Sequence, residues 1–153
     1  MRLLRFFNRQ KSRPLRLLLL RDIFRHLLEK SRRHSQYELG VHLVAALEMA
    51  RLNETFLDHT GSTDVITFNY QETPGDKVLR GEIFICVDDA VTQAPRFGAT
   101  WQLEIVRYLV HGALHLEGYD DTAPGRRKLM KREENKLVKE LSRRFDLGKL
   151  GPG

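Results

Sequence analysis

The sequence predicts an α+β fold: a mixed four-stranded sheet packed with about five helices, as a single domain over residues 1–153. Three observations predict it. A chain of 153 residues, 41% apolar and 30% charged, can bury one real hydrophobic core and is short for two. Neither an internal repeat nor a low-complexity linker interrupts it. Strand-like and helix-like segments follow in the order strand, helix, strand, helix, two strands, three helices.

Residues 2–8 (RLLRFFN) read as the first strand, with polar Asn8 to Arg13 as its connection. Pro14 suits an early position of the next helix, and Leu20, Ile23, Phe24, Leu27 and Leu28 form one apolar face reaching about Ser31. Residues 37–45 suggest a strand and 46–53 a helix. The β-branched and aromatic runs 64–70 and 82–87 read as strands, with Pro74-Gly75 marking a turn between them. Asp88 and Asp89 can cap a helix to about Phe97, ended by Gly98. Thr100 can cap the next, which Gly118 terminates. The last helix covers about 123–145. Phe68, Tyr70, Phe84 and Trp101 stand at core spacing, Cys86 reads as a small buried hydrophobe, and His42 as a surface or satisfied interior histidine.

The net charge of +6 is unevenly spread. Residues 1–35 carry 11 basic and 2 acidic side chains, residues 36–121 carry 5 and 14, and residues 122–153 carry 10 and 4. One cysteine excludes an internal disulfide and a cysteine-based zinc site. The leucine run 17–20 is too short to cross a membrane or to serve as a signal peptide, so a cytoplasmic protein with no membrane partner is expected.

The segment 111–121, HGALHLEGYDD, carries the chemistry. His111 and His115 lie four apart on a predicted helix, so both imidazoles project from one face and can grip one metal ion. Gly118 turns the chain back, which makes Asp121 the best-placed third ligand, with Asp120 as the alternative. Two imidazoles and a carboxylate suit Zn²⁺ with a fourth position open for water, and another divalent metal is compatible with a carboxylate ligand. The residue after the first histidine is Gly112, where HExxH peptidases carry a glutamate base, which counts against a protease.

This segment resembles the signature H-G-x-L-H-L-x-G-Y-D-H of the YbeY family of metal-dependent endoribonucleases, matched from His111 to Asp120. Upstream, Leu52-Asn53 with Ser62-Thr63-Asp64-Val65-Ile66-Thr67-Phe68 resembles the family's LN…PTDVLSF segment. Arg80-Gly81-Glu82-Ile83-Phe84-Ile85 resembles its LGDI-I strand, and Gln93-Ala94 and Glu104 fall where the family often has similar residues. Two positions depart from the pattern. Asp121 stands where the family has a third metal-binding histidine, and Leu57 where it commonly has an arginine.

The resemblance implies a zincin-like architecture, related to zinc peptidases. It also implies single-strand-specific RNA cleavage in maturation of small-subunit ribosomal RNA and in ribosome quality control. RNA is the implied partner, with the small subunit or its proteins possible and DNA not expected. Asp64 and His59 are the candidates for a general base, and Arg80 or Arg107 for the missing positive charge. Arg2, Arg5, Arg9, Lys11, Arg13 and Arg16 could neutralise phosphates, as could Arg126, Arg127, Lys128, Lys131 and Arg132. For the last helix a solvated surface with Glu133, Glu134 and Glu140 in intrahelical pairs is an equal alternative. A competing function is a ribosome- or RNA-binding assembly factor with a mainly structural metal.

Overall fold

The computed structural model describes residues 1–30, 34–59, 61, 63–73 and 75–153. Ser31, Ser62 and Pro74, which carry the expected helix end, one motif position and half of the expected turn, lie outside them. Strands β1 (Arg2–Asn8), β2 (Gln36–Val44), β3 (Val65–Asn69) and β4 (Val78–Cys86) pair in the order β1-β2-β4-β3. β1, β2 and β4 run parallel, with Val41 beside Ile83, and β3 closes one edge antiparallel, with Ile66 beside Phe84. Among the described residues, the mixed sheet and five helices match the fold class expected.

Side chains of successive strand residues alternate between faces, and the two faces differ in size. Leu39, Val41, Leu43, Leu79, Ile83 and Ile85 point into the main core, built with α1 (Leu17–Glu29), α4 (Trp101–Leu116) and α5 (Pro124–Arg144). Val44, Ile66, Phe84 and Cys86 point the other way, onto Met49 of α2 (Ala46–Phe56). His42 also lies on this second face, buried between the rings of Phe7 and Phe84. Arg9 can only donate, so Nδ1 of His42 accepts from it and Nε2 donates to Glu82 at 2.8 Å. This is the satisfied interior histidine. Tyr70 differs from its expected core position: it is 52% exposed and donates its hydroxyl to Glu82.

Several boundaries shift for identifiable reasons. α1 starts at Leu17 and not near Pro14: Arg16 is extended at ψ 96° and caps the helix, and its N–H bonds the carbonyl of Leu150 in a C-terminal 3-10 turn, Leu147–Leu150. β4 begins at Val78, four residues early, where parallel pairing with Gln36 of β2 extends it. α3 (Val87–Gln93) gives way to a 3-10 turn over Ala94–Phe97, since Pro95 has no N–H to continue the α ladder. Asp88 does not cap its own helix. It lies in the first turn of α3 and accepts from the Ser12 hydroxyl and from the Ala46 N–H, so it caps α2. Thr100 caps α4 as expected, accepting from Leu103 N at 3.2 Å.

Gly112 has a packing reason. A Cβ there would stand 2.7 Å from Cγ2 of Ile83, so α4 lies against β4 only because this position has no side chain. Gly112→Ala is expected to destabilise the protein by about 1–3 kcal/mol through overpacking. Gly125→Ala in α5, where nothing lies within 4 Å of the added methyl, should be neutral or stabilising by up to about 1 kcal/mol. Urea unfolding of both variants checks the contrast.

Candidate metal centre

α4 turns a polar stripe away from the sheet: Glu104, Arg107, His111 and His115 follow at helical spacing, while Ile105, Leu109 and Gly112 face the core. The helix ends in a Schellman arrangement. Gly118 adopts φ +101°, its N–H bonds the His115 carbonyl, and Tyr119 N–H bonds that of Leu114, each at 3.0 Å. The reversed chain brings Asp121 back over the last helical turn.

His111 Nε2, His115 Nε2 and Asp121 Oδ2 then converge, separated by 3.1, 3.3 and 3.8 Å. Donors bound to tetrahedral Zn²⁺ stand about 3.3 Å apart, so the residues fit such an ion. The alternative ligand, Asp120, is taken up elsewhere. Its carboxylate accepts from the Thr122 N–H and hydroxyl at 2.8 and 2.7 Å and pairs with Arg126 at 3.2 Å. The Thr122 hydrogen bonds, with lesser help from Arg126, hold its carboxyl at about 2.

The orientation of His111 is set from α5. Glu134, 3% exposed, lies 2.7 Å from His111 Nδ1 through Oε1, while Oε2 accepts from Arg107 at 2.8 Å and Lys131 at 3.0 Å. Burial alone would raise the Glu134 carboxyl, but the hydrogen bonds from His111, Lys131 and Arg107 outweigh it and hold it at about 2. An ionised carboxylate only accepts, so the His111 proton sits on Nδ1 and the Nε2 lone pair faces His115 and Asp121. This is the carboxylate–histidine arrangement that orients metal ligands in general. The sequence reading missed Glu134, placing it among solvated intrahelical pairs. The signal was present: Met130, Val138 and Leu141 form the buried stripe of α5, and Glu134 interrupts it.

The centre opens on a cavity of about 730 Å³ between α4, α5, the 3-10 turn after α3 and the start of β3. Asp64 lies on its wall with Oδ1 held by Val65 N–H at 2.8 Å. Arg107, Arg127 and Lys131 bring positive charge to it. Glu104 lines it too, 4% exposed, and burial pushes its carboxyl above the usual range against the pull of Arg107 and Lys131.

Arg80 is placed elsewhere. Strand parity turns it onto the sheet face opposite α4, where it pairs with Asp76 at 3.0 Å and Glu38 at 3.7 Å. Of the two arginines expected to supply the missing charge, Arg107 is the one that lines the cavity. His59 is exposed in the connection after α2, and Leu57 ends α2 at 44% exposure.

The two basic groups part company. Arg127 donates to the Asp121 carbonyl at 2.9 Å, Arg126 pairs with Asp120, and Lys128 lines a shallow depression beside them with Lys131 and Arg132. These abut the centre. Arg2 and Arg5 lie on β1, with Arg9, Lys11 and Arg13 just after it, at the sheet edge away from β3. There Arg2 donates to the Ser35 carbonyl, Arg9 is spent on Glu48 at 2.7 Å, Arg13 donates to the Ser12 carbonyl, and Arg5 and Lys11 are exposed.

Comparison with known proteins adds a second line. A family profile described as endoribonuclease YbeY matches residues 5–142. A curated endoribonuclease YbeY from Elusimicrobium minutum is 37% identical over 106 residues, covering 68% of this chain and 74% of its own length. Another from Salinibacter ruber is 32% identical over 133 residues, covering 83% and 84%. A Thermotoga maritima protein solved in solution superposes with a TM-score of 0.65 at 28% identity, over 91% of this chain and 89% of that one.

Glu134→Gln should weaken divalent-metal binding by about 10–100-fold in chelator competition, with Asp120→Asn leaving it unchanged. The depressed Glu134 carboxyl also contributes stability above the ordinary carboxylate range, lost as pH falls toward about 2. Wild type and Glu134→Gln should therefore differ in stability at pH 7 and converge near pH 2, measured by denaturant unfolding.

Proposed function

The chain belongs to the endoribonuclease YbeY family, and from that premise we propose that it is a zinc-dependent endoribonuclease cutting single-stranded RNA in the maturation of small-subunit ribosomal RNA. The observation that carries this reading is the convergence of His111, His115 and Asp121 within 3.1–3.8 Å beside a cation-lined cavity. A divalent ion there supplies Lewis-acid chemistry to a phosphodiester and its attacking water. Three protein donors beside an open cavity describe a working centre better than a closed structural one.

The chain's own groups supply the rest. Arg107, Arg127 and Lys131 bind the phosphate oxygens and offset charge developing on them. Asp64, with Oδ1 held by Val65 N–H, accepts the proton of the attacking water at Oδ2. The basic N-terminal turns of α5, through Arg126, Arg127 and Lys128, hold flanking phosphates. Arg2, Arg5, Lys11 and Arg13 on the far sheet edge serve a longer RNA or the ribosome itself. The peptidase reading fails for a steric reason: Gly112 is packed on Ile83 where a glutamate base would stand. Among the described residues, no helix is long and apolar enough to cross a membrane, and a cytoplasmic place of action accords with the ribosomal substrate.

With Zn²⁺ supplied, the purified protein should cut single-stranded RNA and spare duplex. Asp121→Ala should lose both bound metal and cleavage, while Asp64→Asn should keep the metal and lose about 10²–10⁴ in kcat with KM little changed. Cleavage that survives in Asp121→Ala at the wild-type rate would contradict the reading. RNA affinity should fall with salt, and Lys128→Ala should reduce the slope of log affinity against log salt by about 0.7.

A further inference from the structure

Glu104 has no role in the scheme above. It lies two helical turns before His111, about 10 Å along the axis, and its side chain lines the same cavity. It is 4% exposed, and its carboxylate makes no hydrogen bond or ion pair with any described residue. Its oxygens are not sealed in the protein but face the cavity, so the donors they accept from come from the cavity. A protein donor could have been placed there, as three are for Glu134.

The surroundings match one class of donor. Phe97, 71% exposed, stands at the rim, and Val65, Leu103 and Tyr108 complete an apolar wall. An aromatic face at the mouth, apolar sides and a carboxylate at depth are the elements by which proteins hold a splayed-out single-strand base. Guanine alone presents two adjacent N–H donors, its ring N1–H and its 2-amino group, which fit both oxygens of a carboxylate. Uracil offers one N–H between two carbonyl oxygens.

We propose that the end of the cavity around Glu104 is a guanine-binding subsite, which makes Glu104 a specificity-determining residue for the nucleotide beside the cleaved bond. Glu104 accepts from guanine N1–H and the 2-amino group, and Phe97 stacks on the base. This rests on the RNA-cleaving reading for its substrate, but base binding does not require the bond to break.

The probe is an oligouridine carrying one guanosine. Cleavage should concentrate at a bond of fixed offset from that guanosine. Replacing it with inosine, which lacks the 2-amino group, should lower cleavage there about tenfold or more. Glu104→Gln should spread cleavage evenly along the strand. In parallel, chelator-treated protein should bind the guanosine oligomer about tenfold more tightly than oligouridine, and Glu104→Gln should reduce that preference to below about twofold. Phe97→Ala, at an exposed position, should weaken binding of the guanosine oligomer without affecting the fold. Cleavage without any guanosine preference overturns the subsite and leaves the nuclease standing. Guanosine-dependent binding with no cleavage under any metal keeps the subsite and overturns the nuclease. A Glu104→Gln variant that loses thermal stability but keeps the wild-type preference assigns Glu104 a structural role and overturns the proposal.

Discussion

Burying a carboxylate between two helices is costly unless donors meet its lone pairs, and Glu134 meets His111, Arg107 and Lys131 at 2.7–3.0 Å. That hub couples the parts of the site. It fixes the His111 tautomer, so the Nε2 lone pair points at His115 and Asp121. It holds Arg107 and Lys131 at the cavity, where their charge serves an anionic substrate. It also ties α5 to α4, since Arg107 and His111 belong to one helix and Lys131 and Glu134 to the other. Removing the Glu134 charge would leave Lys131 without its partner, Arg107 with Asn135 alone, and an imidazole free to change its proton.

The sheet serves this arrangement by letting α4 lie close. Gly112 rests on Ile83, and at Gly81 an added Cβ would come 2.5 Å from the Phe68 carbonyl of β3 and 2.7 Å from Leu116 of α4. The missing side chain at Gly112 thus seats the helix that carries both histidines, and the one at Gly81 leaves room for both β3 and that helix. At its far end, Gly118 at φ +101° turns the chain so that Asp121 reaches the histidines while Asp120 is captured by Thr122 and Arg126. One residue of register decides which acid faces the centre.

The features legible in the sequence were those governed by short-range periodicity. His111 and His115 share a face because the helical repeat puts them there, and the strand and helix order follows from alternation and amphipathicity. Motif resemblance added the family, and Asp121 could be ranked above Asp120 from the turn at Gly118. What escaped was set by contacts distant in sequence. Asp88 looks like a cap for its own helix and caps α2, 42 residues away. Arg80 looks close to the motif, yet the two-residue period of β4 that sends Gly81 and Ile83 toward α4 sends Arg80 the other way. The +9 of residues 1–35 and the +6 of residues 122–153 look alike in composition. Only the pairing of β1 at the far edge separates them, leaving the α5 cations as the ones beside the centre.

The central claim is that His111, His115 and Asp121 hold one divalent ion, with Glu134 orienting His111. Anomalous diffraction at the zinc edge, from crystals grown with Zn²⁺, tests it most directly. The account predicts one peak within bonding distance of His111 Nε2, His115 Nε2 and an Asp121 oxygen, with His111 Nδ1 still on Glu134. A peak at Asp120 instead, or an intact fold in which the three donors hold no ion at saturating zinc, would contradict it.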